Sequence, residues 1–184
     1  MRRLDPKALG QHLDVLYRAA WALSGSREDA EDLVQDTFAR VLARPRMIRG
    51  EERAYLMQAL RNTFYTNLRS ASRRPQSAAT PEDFEPVDPQ TGRQPERAVE
   101  VAEIMDSIAE LPEDFRLTLV AVDILGLSYG EAAKALDTRE ATITSRLYRA
   151  RQRIARRFSD EPTPESDPQG GSPREGSGSN RSLA

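Results

Sequence analysis

The chain has 184 residues, of which 30% are charged and 38% are hydrophobic, and its formal net charge is −2. A chain of this size and composition can fold as one mid-sized domain or as two small ones. It contains no cysteine, which excludes disulfides, thiol catalysis and cysteine-ligated zinc. No run approaches the roughly 18 apolar residues needed to cross a bilayer, and the opening residues lack the apolar core of a signal peptide. We therefore expect a cytoplasmic protein without membrane insertion.

Three helices are predicted in the first half of the chain. Asp5 and Pro6 form a typical helix start, which predicts a first helix over residues 6–23, and Ser26 is placed to cap a second helix after the break "SGSRED". A third helix is predicted over residues 52–72, and apolar residues recur at spacings of three and four in all three helices. The predicted buried positions are Leu9, Leu13, Leu16, Tyr17, Ala20 and Trp21, then Ala30, Leu33, Val34, Phe38, Val41 and Leu42, then Tyr55, Leu56, Ala59, Leu60, Phe64 and Leu68.

The second helix carries an acidic and amide face opposite its apolar one. Asp32, Gln35 and Asp36 are three and four residues apart, so their side chains share one side of the helix. Such a stripe offers negative charge and hydrogen-bond acceptors to a basic partner surface. An ordinary solvated face opposite a core stripe explains the same pattern.

The composition changes after the third helix. Residues 75–96 hold five prolines (75, 81, 86, 89 and 95) and few apolar residues, which predicts a flexible linker. From residue 159 to 184 the chain is mostly proline, glycine, serine and acidic residues, which predicts a disordered tail. The expected fold is all-α, with two small helical domains at residues 5–74 and 97–158.

The second domain contains the strongest local pattern, "LSYGEAAKALDTREATITSRLYRARQRI". Ser128 and Glu131 have the spacing of a capping box, and Thr138 is placed to cap the following helix. Two short helices joined by a tight turn predict a helix-turn-helix, whose second helix enters the DNA major groove. A preceding helix is predicted to bury Val99, Ala102, Met105 and Ile108, and another helix is predicted to begin at Pro112 and to end near Gly126. The last helix is predicted to bury Ala141, Ile143, Leu147 and Ala150 or Ile154.

Arginines dominate the last helix. Six arginines (146, 149, 151, 153, 156 and 157) lie between Ser145 and Phe158 without an acid among them. This favours contact with phosphates, because a merely solvated helix tends to mix the two signs of charge. A helical hairpin with a solvated arginine face is the alternative.

Three segments together resemble a known family. The segment "DAEDLVQDTFARVL" resembles the polymerase-binding helix of bacterial extracytoplasmic-function sigma factors. The segment "YLMQALRNTFYTNLRSASRRP" resembles that family's −10 segment, and residues 111–154 resemble its −35-binding region. The three segments occur in the family's order across residues 10–158.

The resemblance implies partners and site residues. It implies binding to core RNA polymerase, through the β′ clamp helices and the β subunit, binding to the −10 and −35 promoter elements, and silencing by an anti-sigma factor. No catalytic residue, cofactor or metal is implied. The implied polymerase contacts are Asp32, Gln35, Asp36 and Phe38, the −10 contacts are Arg61, Asn62, Phe64, Tyr65 and Arg69, and the −35 contacts are Thr144, Ser145, Arg146, Tyr148 and Arg149.

Two of these assignments have alternatives in the residues themselves. Tyr55, also a candidate to stack on melted bases, and Phe64 equally fit the core stripe of the third helix. Departures from the family pattern occur at Tyr55, where tryptophan is common, at Thr66, where aspartate is common, and at Thr144, where a basic residue is usual.

A stand-alone helix-turn-helix regulator is the alternative function, although it leaves the stripe of Asp32, Gln35 and Asp36 without a role. An enzyme is disfavoured, because the single histidine, His12, has no companion ligand and phosphate-binding glycine loops are absent.

Overall fold

A computed structural model describes residues 2–3, 6–43, 47–48, 50–71 and 95–159. Almost all of the predicted linker and tail lie outside these residues. The elements of the first half are a 3-10 helix at Pro6–His12, α1 at Leu13–Ser24, α2 at Arg27–Ala43 and α3 at Glu52–Ala71. Those of the second half are α4 at Pro95–Ala109, α5 at Glu113–Leu119, a π-helical segment at Val120–Ile124, α6 at Tyr129–Leu136 and α7 at Glu140–Phe158. Two-residue strands, β1 (Arg2–Arg3) and β2 (Met47–Ile48), pair antiparallel. The all-α prediction is confirmed.

Most helix ends follow the predicted local chemistry. The Ser26 hydroxyl accepts a hydrogen bond from the Asp29 backbone N–H at 3.1 Å, and Ser128 and Glu131 form the predicted reciprocal capping box. Gly126 has a φ of 70°, which suits a residue just past a helix end because glycine has no Cβ to clash there.

Three boundaries differ from the prediction. The first helix begins as a 3-10 helix, a geometry that is frequent at helix N-termini and that contains Gly10 here. Helix α4 begins at Pro95, two residues inside the predicted linker. The N-cap of α7 is Arg139, in extended conformation and without a side-chain cap bond, so the prediction that Thr138 is the cap was wrong.

Several apolar residues predicted to be buried lie on the surface. Leu13, Leu42, Leu68 and Val99 are 46%, 47%, 48% and 59% exposed. Each lies near an end of its helix, where the apolar stripe extends past the neighbouring element. Ala141, in the first turn of α7, is exposed for the same reason.

The helices form two units that share a continuous core. The N-terminal unit (residues 6–71) packs α1, α2 and α3 together, and the C-terminal unit (residues 95–159) packs α4 to α7. Helix α1 also packs against α4 and the π-helical segment, and α3 packs against α6. The two units therefore contact each other directly, and the seam between them runs along α1 and α3.

Candidate functional site

The acidic and amide stripe on α2 is solvent-exposed. Asp32, Gln35 and Asp36 are exposed, while Leu33, Val34 and Thr37 on the opposite side are buried. The Thr37 hydroxyl donates to the Leu33 carbonyl at 2.7 Å, so this polar group does not need a water inside the core.

The stripe has two neighbours that the sequence pattern did not indicate. Asn67 of α3 donates a hydrogen bond through Nδ2 to Asp36 Oδ2 at 3.0 Å. Leu42, predicted to be buried, extends the exposed face toward the end of α2, whereas Phe38 is half-buried against the core. No local spacing could have indicated Asn67, because it lies 31 residues from Asp36.

Helix α3 presents polar side chains on two faces. One face opens on a cleft of about 530 Å³ between α2 and α3. Its polar lining comes from Arg40 of α2 and from Tyr55, Gln58, Asn62, Thr63 and Thr66 of α3. Asn62 is exposed and Tyr55 is half-buried, so an amide and an aromatic side chain both border an accessible space. Arg69, further along α3, is exposed as well.

The second face of α3 points to the C-terminal unit. The half-buried Arg61 donates through Nη1 to the Ala135 carbonyl at 3.2 Å, and the Tyr65 hydroxyl donates to Glu113. Burial, together with the Glu113 hydrogen bond and charge, raises the pKa of Tyr65 to about 12. Phe64 is only 7% exposed and lies under the Arg116 guanidinium, which places it in the core rather than on an open stacking surface.

The helix-turn-helix forms as predicted. Ala132, Ala133 and Ala135 of α6 are buried where α7 crosses, and their small side chains allow the close approach. Helix α7 buries Ile143, Leu147 and Ala150. Thr144, Ser145, Tyr148 and Arg149 lie on its exposed side, with Tyr148 63% exposed.

Three of the α7 arginines are paired with acids of the same unit. Arg146 lies 2.5 Å from Asp114 of α5, Arg151 holds both Asp123 oxygens at 3.0 and 2.6 Å, and Arg157 pairs with Glu110. Hydrogen bonding to Asp123 raises the pKa of Arg151, and hydrogen bonding to Arg157 lowers that of Glu110. The absence of acids within α7 therefore did not mean an unbalanced surface, because the acids come from other helices.

Other arginines of α7 remain available. Arg149 and Arg156 are exposed and form no ion pair with any described residue, whereas the Arg153 guanidinium lies 5.1 Å from the Phe115 ring centroid. Arg149 is thus the predicted −35 contact that is both cationic and unpaired.

The described ranges contain no group of three or more histidine, aspartate or glutamate side chains arranged as metal ligands. Every helix in those ranges is too short or too polar to cross a membrane.

Comparison with known proteins places these surfaces in a family. Residues 9–74 match the family described as Sigma-70 region 2, and residues 102–154 match Sigma-70, region 4. The chain is 36% identical over 149 residues to "ECF RNA polymerase sigma factor SigE" of Mycolicibacterium smegmatis, a match covering 78% of this chain and 57% of that protein. It is 32% identical over 140 residues to "ECF RNA polymerase sigma-E factor" of Haemophilus influenzae, a match covering 70% of this chain and 74% of that protein.

A solved structure shows the same architecture. The sigma factor RpoE from Bartonella quintana, crystallised in complex with the anti-sigma factor NepR, superposes with a TM-score of 0.58 at 27% identity, covering 83% of this chain and 96% of that chain. The acidic stripe and the cleft beside Asn62 lie within the match to region 2, and the helix-turn-helix lies within the match to region 4. The chain belongs to the extracytoplasmic-function sigma factors of the sigma-70 family, whose members are alternative sigma factors for transcription initiation.

Proposed function

We propose that this chain binds core RNA polymerase through the α2 stripe and directs it to promoters through α3 and α7. The observation that carries the proposal is the exposed set Asp32, Gln35 and Asp36 on a chain that also holds a helix-turn-helix. DNA would repel the two carboxylates, so a basic protein surface is the better partner. The β′ clamp helices of polymerase are the proposed partner of this stripe, with Leu42 adding apolar contact at its end.

The cleft between α2 and α3 is the proposed site for a base of the melted −10 strand. A cleft of about 530 Å³ falls in the size range of small-ligand pockets. The Asn62 amide can pair with the Watson–Crick edge of an extruded base, and Tyr55 supplies an aromatic wall. Arg61, Tyr65 and Arg69 are the proposed contacts to the flanking strand.

The −35 element is the proposed ligand of α7. Thr144, Ser145 and Tyr148 are the exposed polar side chains that reach base edges, and Arg149 neutralises a phosphate. Arg146 is held by Asp114, so its contact with DNA requires exchange of that ion pair. The domain division that goes with this proposal is region 2 at residues 5–74 and region 4 at residues 97–158, with the β subunit contacting the second.

An anti-sigma factor is a further proposed partner. Support comes from the B. quintana relative, whose structure was solved with its anti-sigma factor NepR. Such a partner would compete for the surfaces that polymerase needs.

Run-off transcription tests the proposed function. Core polymerase supplemented with this chain should produce transcripts from a subset of a genomic promoter library, and their starts would give the −10 and −35 sequences. The alternative, a stand-alone regulator, would bind its operator without polymerase at about 10⁻⁸–10⁻¹¹ M. Tight specific binding of that kind, with no polymerase-dependent transcript, would contradict the sigma-factor proposal.

The α2 stripe can be tested by charge reversal. Asp36→Arg should weaken association with core polymerase by about tenfold or more, because it places a cation against a basic surface. Affinity is measured by fluorescence anisotropy, and circular dichroism checks that the fold is kept. Glu100→Arg reverses the same charge on an exposed position of α4 and should leave the affinity unchanged. Equal affinities for the two variants would refute the assigned face.

A further inference from the structure

The hydroxyl groups on the exposed side of α7 differ in where their protons point. The Thr144 hydroxyl donates to the Glu140 carbonyl at 3.2 Å. The Ser145 hydroxyl donates to the Thr142 carbonyl at 3.1 Å. Both protons are therefore used within the helix, and these two side chains present oxygen lone pairs to the outside. Toward a DNA base edge, Thr144 and Ser145 are hydrogen-bond acceptors.

Tyr148 has the opposite arrangement. Gln152, one helical turn further along, donates through Nε2 to the Tyr148 hydroxyl oxygen at 2.7 Å. Residues four apart share one side of a helix, and side chains lean toward the helix N-terminus, so Gln152 reaches back to Tyr148. The phenol accepts a hydrogen bond from its own helix and keeps its proton, which points away from the Gln152 amide.

This proton is open to a ligand. Tyr148 is 63% exposed, and Gln152 is exposed next to it. Within the part of the chain that the structure describes, Gln152 is the hydrogen-bond partner of the Tyr148 side chain, and no side chain or carbonyl accepts the phenol proton. Of the three hydroxyl side chains proposed above to reach base edges, Tyr148 is thus the one that can donate.

The choice between donor and acceptor decides which base edge a hydroxyl can bind. In the major groove guanine presents the acceptors O6 and N7, and thymine presents the acceptor O4. Cytosine presents an amino donor, and adenine presents an amino donor beside its N7 acceptor. A hydroxyl that rotates freely binds either kind of atom, whereas a hydroxyl with a fixed role distinguishes them.

We propose that Gln152 is a positioning residue that fixes the Tyr148 hydroxyl as a hydrogen-bond donor and thereby sets the base pair that Tyr148 selects in the −35 element. This inference rests on the proposed function of α7 and gives that face a direction of hydrogen bonding. Tyr148 binds an acceptor atom of a base edge, while Thr144 and Ser145 bind amino groups. Gln152 acts through Tyr148 and makes no base contact of its own.

Base preference is measured with −35 duplexes in which each base pair is replaced in turn. The parent duplex comes from the run-off transcripts or, if there are none, from duplexes that the full chain enriches out of a random-sequence pool. Fluorescence anisotropy gives the dissociation constants, and their ratio between base pairs at one position is compared. Tyr148→Phe lacks the hydroxyl and should reduce this ratio about fivefold or more at the position that Tyr148 reads. No change at any position would overturn the proposal.

Two substitutions of Gln152 should act differently at that position. Gln152→Met removes the amide donor without adding charge, so the Tyr148 hydroxyl can take either role and the ratio should fall about twofold to tenfold. Gln152→Glu supplies a carboxylate that accepts the phenol proton, so the Tyr148 oxygen becomes an acceptor and the preferred base pair should change. If neither variant alters the base preference, Gln152 does not set the role of Tyr148, and the proposal is wrong.

The added charge has a matched control on the same helix. Ala155→Glu places a carboxylate at another exposed position of α7 and should weaken binding to every duplex by a similar factor, leaving the ratio unchanged. Gln152→Glu combined with Tyr148→Phe should show the base preference of Tyr148→Phe alone. A new preferred base pair in this double variant would show that residue 152 contacts the base directly, which would also overturn the proposal.

Failure of the proposed function is seen separately. It appears as the absence of run-off transcripts with the wild-type chain, whereas base preference is measured by DNA binding without polymerase. Transcripts together with a base preference that does not respond to Gln152 would overturn the role of Gln152 alone.

Discussion

At the scale of single residues, the proposed polymerase contact depends on a side chain from another helix. Asp36 is exposed, and its carboxylate is oriented by the Asn67 amide at 3.0 Å. A free aspartate samples several rotamers, and holding one of them before binding reduces the entropy lost in the complex. We therefore propose Asn67 as a positioning residue for the stripe.

Removing that amide should weaken polymerase binding. Asn67→Ala is expected to raise the dissociation constant about twofold to tenfold, which corresponds to one exposed hydrogen bond. Asn67→Gln, whose amide can still reach the carboxylate, should recover part of the affinity. Ser70→Ala, which removes only a hydroxyl bonded to the Thr66 carbonyl on the same helix, is the control. If all three variants bind core polymerase as tightly as the wild-type chain, Asp36 needs no positioning by Asn67.

At this scale the helix caps could be predicted from the sequence, whereas hydrogen bonds between residues far apart in the chain could not. Ser26, Gly126 and the pair Ser128 and Glu131 were predicted because a cap involves residues at most three positions apart. Asn67 with Asp36, and Tyr65 with Glu113, are 31 and 48 residues apart. Their encounters depend on how helices cross, which residue spacing along one helix does not specify.

At the scale of the helix, α7 divides its arginines between two tasks. Arg146 binds Asp114 of α5, Arg151 binds Asp123 of the π-helical segment, and Arg157 binds Glu110 just after α4. Ion pairs at the surface add little to stability because solvent screens them, but these three pairs also orient α7 on its unit. Arg149 and Arg156 are left for the proposed phosphate contacts, so fewer cations are available to DNA than the sequence suggests.

Salt dependence of DNA binding separates the two groups of arginines. Arg149→Ala should reduce the slope of log K against log salt for −35 duplex binding by about one unit. Arg151→Ala removes the same charge from the same helix but should change the slope much less, since Asp123 already neutralises it. Binding is followed by anisotropy across a salt series. An equal loss of slope in both variants would mean that the ion pair between Arg151 and Asp123 breaks when the chain binds DNA.

The helix scale also shows where the apolar pattern misleads. Periodicity identified the buried faces of α1, α2 and α3, but it extended them to Leu13, Leu42 and Leu68, which are exposed. A stripe has the same period whether or not a neighbour covers it. Only the lengths and crossings of the packed helices determine where burial stops.

At the scale of the whole molecule, the two units share one core. The only tryptophan, Trp21, is buried in α1, and α1 packs on both α4 and the π-helical segment. Sequence composition predicted two separate domains, because a proline-rich stretch divides them. It gave no sign of the seam, since helices from either side of that stretch make the contacts.

Unfolding of the free chain tests whether the seam couples the units. Tryptophan fluorescence reports the N-terminal unit and far-ultraviolet circular dichroism reports all helices, so coincident urea transitions are expected for the wild-type chain. Gly25→Ala should weaken this coupling, because its Cβ would lie 3.3 Å from the Ala109 Cβ and the end of α4 would have to yield by a few tenths of an ångström. The urea midpoint measured by tryptophan fluorescence should then differ from the urea midpoint measured by circular dichroism.

Gly50→Ala is the matched control for backbone strain. Gly50 also has a positive φ, 102°, but a Cβ there meets nothing within 4 Å. Both alanines should cost about 1–2 kcal/mol of stability from left-handed backbone strain, yet only Gly25→Ala should lose the coincidence of the two probes. If both variants keep coincident transitions, contact between Gly25 and Ala109 does not couple the units. Coupling would then have to come from the hydrogen bonds that α3 donates to the C-terminal unit, from Arg53 to the Leu125 carbonyl, from Arg61 to the Ala135 carbonyl and from Tyr65 to Glu113.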